Sequence, residues 1–230
     1  MEFFDRLALF STLDIAALAF LIACWIAIGW RIEHSNAKHP STAALMAGYR
    51  RTWMEQMVTR QPRVFDAHVL GTIRQSTAFF ASTCVIALGG TIALIGNTER
   101  LAGVAADIAI AEQPEIVWEL KLMVTAVLLT NCFLKFVWAN RLFGYCLVVM
   151  AAVPNDPNDP KAPHRAAQAA EVNITAARSF NRGLRSIYFA LASLAWLAGA
   201  AALVIATFVT CVVIWRREFA SRSRQVLLDD

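Results

Sequence analysis

Hydrophobic positions in this chain gather into four long runs rather than short periodic stripes. About 20 apolar residues cover the ~30 Å hydrocarbon layer of a bilayer at 1.5 Å per residue. The first run, Phe10 to Trp30, is interrupted only by Asp14, one turn from its start. The second, Ser76 to Ile95, holds no charge. The third, Trp118 to Trp138, carries Glu119, Lys121, Asn131 and Lys135 between two tryptophans that would anchor at opposite interfaces. The fourth, Ile187 to Trp215, is 29 uncharged residues ending at Arg216 and Arg217. It is long enough to tilt within the lipid. The pattern predicts four membrane spans, near 10–30, 76–95, 118–138 and 187–215.

Between the runs the pattern changes to helical segments with a polar face. Ser41 and Thr42 can cap a helix that puts Leu45, Tyr49, Trp53 and Met57 on one stripe. Pro62 ends it, and residues 64–75 lead into the second span. Beyond Trp138 the helix pattern continues to Pro154. Two Asp–Pro steps, Asp156-Pro157 and Asp159-Pro160, then make a turn-forming tip. Ala-rich sequence over 162–186 returns as helix. The expected fold is all-α: a single membrane domain over 1–230, an integral membrane four-helix bundle whose helices extend into a cytoplasmic helical bundle over about 41–75 and 139–186.

Composition sharpens this. Hydrophobic residues are 58% of the 230, against roughly 45–50% in soluble proteins, and mean hydropathy is +0.51. A water-soluble domain of this size has too little interior to bury so much apolar surface. The first run is no signal peptide, because MEFFDR carries two acids and one base and no A-x-A site follows.

The net charge of +4 reports topology rather than nucleic-acid binding. Seven bases lie in 31–75 and six in 139–186. Arg6, Arg100 and four tail arginines make six elsewhere. The positive-inside rule then places both long loops in the cytoplasm and both termini outside an inner membrane. The arginine-rich tail is the dissenting feature.

Several motifs together resemble the domain of unknown function 599 family. They are Tyr49-Arg50-Arg51-Thr52-Trp53, then Ile73-Arg74-Gln75-Ser76 with Ala81-Ser82-Thr83, Leu120-Lys121, Asn140-Arg141, and the run from Asn181 to Ala190. The similarity covers roughly residues 10 to 215. It implies a multi-pass membrane architecture of a kind found in bacteria and plants, and it transfers no catalytic residues. It keeps the Arg51-x-Trp53 block at a fixed distance from the second span, which suits a structural role in packing.

Candidate chemistry is sparse. No HExxH, Walker, GxSxG or GxGxxG motif occurs. His34, His39, His68 and His164 all lie in loop segments, away from the mid-bilayer depth an axial haem ligand needs. Five cysteines form no close pair in sequence, which speaks against a disulfide framework or zinc. No metal, cofactor or enzymatic activity is expected.

Two polar sets remain. Lys121, Asn131, Lys135 and Arg141 fall near one face of the third helix and are candidates for a polar path, since a charge at the centre of a span costs about 2.5–3.5 kcal/mol. Arg31, Arg74, Arg182 and Arg185 sit where the spans meet the cytoplasm, a candidate cluster for an anion or anionic lipid headgroups. Small residues, Gly89 with Ala93 and the Ala195–Ala206 ridge, suit close helix contacts within or between subunits. The expected function is a homo-oligomeric channel or transporter-like conduit for a small anion or solute. The alternative is a scaffold or accessory subunit docking another membrane protein.

Overall fold

The computed structural model describes residues 9–99 and 114–229. The described residues are helical and hold no strand. In chain order they form α1 (Thr12–Glu33), α2 (Thr42–Met57), α3 (Val64–Ile95), α4 (Glu115–Ala151), α5 (Lys161–Leu194), α6 (Ala200–Phe219) and the short α7 (Arg222–Val226). Arg6 and Arg100, counted above as external bases, lie outside the described residues.

Local chemistry sets the helix ends. Ser11 and Asp14 form a reciprocal capping box, with the Asp14 amide donating to Ser11 Oγ at 3.1 Å and the Ser11 amide to Asp14 Oδ2 at 3.3 Å. The Ser41 hydroxyl caps α2 by accepting from the Ala44 amide at 3.2 Å and donates to the Ile32 carbonyl at 2.9 Å. The proline tip is organised by carboxylates: Asp156 accepts from the Asn158 amide at 2.9 Å, and Asp159 from the Lys161 amide at 2.8 Å.

Four helices are long and apolar enough to cross a membrane: Thr12–Glu33, Val64–Ile95, Glu115–Ala151 and Ala200–Val226. At most 39% of any of their apolar windows is buried within the chain, so the core does not consume this apolar surface.

The continuous span expected over 187–215 is not formed. α5 ends at Leu194, Ala195–Ala198 tighten into a 3₁₀ turn, and the chain passes Gly199 with φ 110° and ψ 169° before α6 begins. That region of backbone space is essentially closed to residues with a Cβ. Hydropathy could not reveal the break, because every residue on either side is apolar. The ridge expected at Ala195, Ala198 and Gly199 therefore lies largely in a turn.

The chain divides into two compact units. The first comprises residues 1–30, 83–132 and 184–215, and the second 31–82, 133–183 and 216–230.

In the first unit, Trp196 meets Asp14 and Arg185 Nε lies 3.8 Å from the Cβ position of Gly29. These contacts make α5 antiparallel to α1. Cys211 lies within hydrogen-bonding reach of Cys24, so α6 runs parallel to α1 and the chain doubles back at Gly199. The unit is apolar outside, and its largely apolar interior also holds several polar groups. Lys121, Thr125, Ser186, Ser193 and Thr207 are buried, while Leu13, Ile26, Ile86, Val127, Ile205 and Phe208 are more than half exposed. Trp118, expected as an interfacial anchor, is buried at 3% exposure because its ring turns in under Lys121. A Cβ at Gly89 would meet nothing within 4 Å, so the close contact expected there is not made within one chain.

Cysteines scattered in sequence also meet in this unit. Cys84 Sγ on α3 is 3.0 Å from Cys132 Sγ on α4, both buried. In a Cys24→Ser, Cys211→Ser background, which removes the other neighbouring thiol pair, diamide is expected to close a Cys84–Cys132 disulfide, hiding two thiols from maleimide after denaturation. Cys84→Ser should abolish that effect, and an unchanged thiol count with Cys84 in place would rule out this helix pairing.

In the second unit α2, the start of α3, the end of α4 and most of α5 enclose a core of Met54, Met57, Leu70, Phe143, Cys146 and Met150. Ala162, Ala166, Ala169, Ala170 and Ala176 line the buried face of α5, small side chains that let it approach closely. Phe136 has no exposed surface and stands 5.4 Å from Phe80 and 5.3 Å from Phe180, centre to centre. The tail folds back within the unit. The Thr42 hydroxyl donates to the Glu218 carbonyl at 3.1 Å, the Ala43 amide to the Glu218 carboxylate at 3.2 Å, and Arg224 Nε to the Pro40 carbonyl at 2.8 Å.

Candidate functional site

The polar residues inside the first unit form a seam along the α4–α5 contact. At one end Lys121 is 2% exposed. Its ammonium stands 5.4 Å from the Trp118 ring centre and 5.9 Å from that of Trp196. Trp118 and Lys121 are three apart and share a helix face; Trp196 is brought there by the 3₁₀ turn. The Trp196 indole N–H donates to Asp14 Oδ1 at 2.7 Å, and the Ser11 hydroxyl to Asp14 Oδ2 at 2.6 Å. Asp14 acts electrostatically on the Lys121 charge. The Trp118 indole N–H is buried and has no acceptor.

Farther along, the hydroxyls of Thr125 and Ser193 are 2.7 Å apart and buried. Ser186 then donates to Asn131 Oδ1 at 3.2 Å. The seam thus runs Lys121, Thr125–Ser193, Asn131–Ser186, with α4 and α5 contributing alternately. Small hydroxyls suit both roles: they satisfy one another when the helices are closed, and they can hydrogen-bond a polar solute.

The four residues expected to line one path therefore have different surroundings. Lys121 and Asn131 belong to the seam. Lys135, in the second unit, is partly buried, and its backbone carbonyl accepts from Ser179 at 2.9 Å. Arg141 is exposed, with its guanidinium bonded to the Tyr145 hydroxyl.

The expected cationic cluster is likewise distributed. In the second unit Arg182 makes two hydrogen bonds to the Glu33 carboxylate. That carboxylate raises its pKa above the ordinary value, with burial acting in the opposite sense. Arg74 Nε donates to Asn140 Oδ1 at 3.1 Å, and Arg31 lies 4.9 Å over the Phe219 ring. Arg185, in the first unit, is 7% exposed.

Arg51 pairs with Glu171 at 2.8 Å on the surface of the second unit, a contact worth little on its own. Trp53 packs on the core and donates its indole N–H to Asp66 at 2.7 Å. Arg60 also binds the fully buried Asp66. Arg50 reaches the buried Asn173, and burial pushes the Arg50 pKa down.

Sequence reasoning missed Asp14, Trp118, Thr125, Ser193 and Trp196 as members of one site. The three-residue spacing of Trp118 and Lys121 was the available signal. The meeting of α1, α4 and the turn after α5 was not.

Among the described residues no three or more His, Cys, Asp or Glu side chains come together as a metal site. No curated protein and no solved structure matches the chain. The family motifs quoted above, Leu120-Lys121 at the head of the seam and Asn181 to Ala190 along its α5 side, lie within a stretch, residues 16–223, matched by the model of a family described as protein of unknown function, DUF599, and the chain belongs to that family.

Proposed function

We propose that this protein resides in a cell's inner membrane and conducts a small anion through the seam that begins at Lys121. The observation that carries the reading is the burial of a lysine inside a unit whose outer surface is apolar. An ammonium in such surroundings costs free energy unless it is compensated, and so does an N–H without an acceptor. Asp14 and two indole rings already act on the Lys121 ammonium; an incoming anion would be drawn to that charge and would accept from the Trp118 N–H beside it, which has no acceptor. The hydroxyl and amide groups at Thr125, Ser193, Asn131 and Ser186 then offer weak, replaceable partners along the way, which conduction requires.

The membrane reading also carries a proposed sidedness. α6 runs parallel to α1, so Glu33 and the arginine tail leave on one side, and Thr42, Ala43 and Pro40 hold that tail. The four tail arginines then join the thirteen bases of the long loops, giving seventeen against Arg6 and Arg100. This supports an external N-terminus and a cytoplasmic C-terminus, in place of the two external termini expected from four spans. Exposed Trp30 and Trp215, at the ends of the first unit's segments, suit an interfacial belt. A homo-oligomer would give the open face at Gly89 a partner.

Purified protein in liposomes tests the reading. Chloride and formate gradients should collapse faster than in protein-free vesicles. Lys121→Met should slow the flux roughly ten- to a hundredfold, the loss of one charge-assisted interaction, and Lys121→Arg should retain part of it. No flux from folded protein would reject the conduit. The second reading is a docking scaffold, favoured by exposed Val64, Phe65, Tyr145 and Val148 on the second unit.

A further inference from the structure

The second unit has a cleft of about 350 Å³ between the end of α2, the start of α3 and the end of α4. This is the small end of the range seen for ligand cavities. Met57 and Met150 line it as nearly fully buried residues, with Leu147 beside them, and Val64 and Ala67 form an exposed part of its wall. Methionine thioethers are flexible and polarisable, and they adapt to an aliphatic guest.

One charged residue, Arg63, lines this apolar cleft. Its Nη1 donates to the Val153 carbonyl at 2.6 Å, and its Nη2 to those of Val58 at 3.0 Å and Pro154 at 2.7 Å. Its buried Nε has no acceptor. Among the described residues it has no carboxylate within 4.0 Å, unlike Arg51, Arg60 and Arg182, which pair with Glu171, Asp66 and Glu33. Neutral carbonyls fix the guanidinium in place but leave its charge uncancelled. Asp66, the nearest acid in sequence, binds Arg60 and Trp53 through Oδ1, and its buried Oδ2 makes no hydrogen bond to Arg63. The cleft thus combines an aliphatic wall with a held, uncompensated cation.

We propose that this cleft binds a small aliphatic carboxylate, its chain against Met57, Leu147 and Met150 and its carboxylate toward Arg63. The site is separate from the Lys121 seam and does not rest on anion conduction.

The test uses the full chain in nanodiscs of zwitterionic lipid, with ¹³C-methyl methionine. Titration with octanoate should shift the Met57 and Met150 methyl signals saturably, with Kd on the order of 1 mM, and leave Met46 and Met123 still. Octanol should bind roughly tenfold more weakly, and octyltrimethylammonium should bind more weakly still, as repulsion by an uncompensated cation requires. Arg63→Gln should remove the preference for octanoate. Because Arg63 also ties down three carbonyls, Ala67→Phe provides a second variant that fills the cleft from an exposed position and should abolish the shifts. Equal responses to all three probes, no saturable shift with octanoate, or unchanged binding in Ala67→Phe would each overturn the proposal.

Discussion

Phe136→Ala is expected to destabilise the protein by about 3 kcal/mol or more, the cost of emptying a fully buried aromatic site. Phe136 is closed in on three sides: Phe80 stacks on it, Phe180 meets it at a tilt, and Gly183 abuts it directly. A Cβ built on Gly183 would stand 2.9 Å from Phe136 Cε1 and 3.0 Å from Cζ. The glycine is thus a space requirement, and its helical backbone imposes no special φ. Gly183→Val should cost less, about 1–3 kcal/mol, because overpacking can be relieved partly by small shifts. Phe136→Leu combined with Gly183→Ala should cost less than the two single changes added together, since each relieves the other. Denaturant titration of the detergent-solubilised protein measures all of these. A loss below about 1 kcal/mol for Phe136→Ala would mean that these rings do not form a packed core.

The second large effect is one of sidedness. A reporter fused after Asp230 is expected to read on the same side of the membrane as one inserted after Pro160, and one fused before Met1 on the opposite side. The whole difference rests on Gly199. Were residues 187–215 one continuous helix, α5 would carry the chain across once and leave the tail on the side of the N-terminus. With φ at 110° the chain instead reverses, and α6 returns alongside α1. The tail then meets the α1–α2 connection through Thr42, Ala43 and Pro40. Reporters after Pro160 and Asp230 that read on opposite sides would contradict this parallel arrangement of α1 and α6.

Gly199→Val bears on the same point. It places a β-branched residue where only glycine fits without strain, at a cost on the order of 1–3 kcal/mol. The variant should therefore unfold earlier even though no packed neighbour lies within 4 Å of the Cβ position. That separates backbone strain from crowding, the reverse of the situation at Gly183.

The sequence by itself determined the class of this protein and most of its elements. Four runs of apolar residues, prolines at positions 40, 62, 114 and 154, and Ser/Asp caps state all-helical structure with long apolar helices, because each is a local property of backbone and solvent. The α2 stripe through Trp53 and Met57 was legible for the same reason, its periodicity being written in one segment. The tertiary structure alone decided which apolar residues bury and which polar ones they surround. Lys121 could be noticed in the sequence, but its place between two indoles required α1 and the turn after α5 to converge on α4. The pairing of Cys84 with Cys132 is a contact between helices 48 residues apart, and no spacing rule reaches across that distance. The break at Gly199 escaped for a different reason. Glycine is tolerated in apolar helices and required at reversals, and only the packing of α6 against α1 selects between the two.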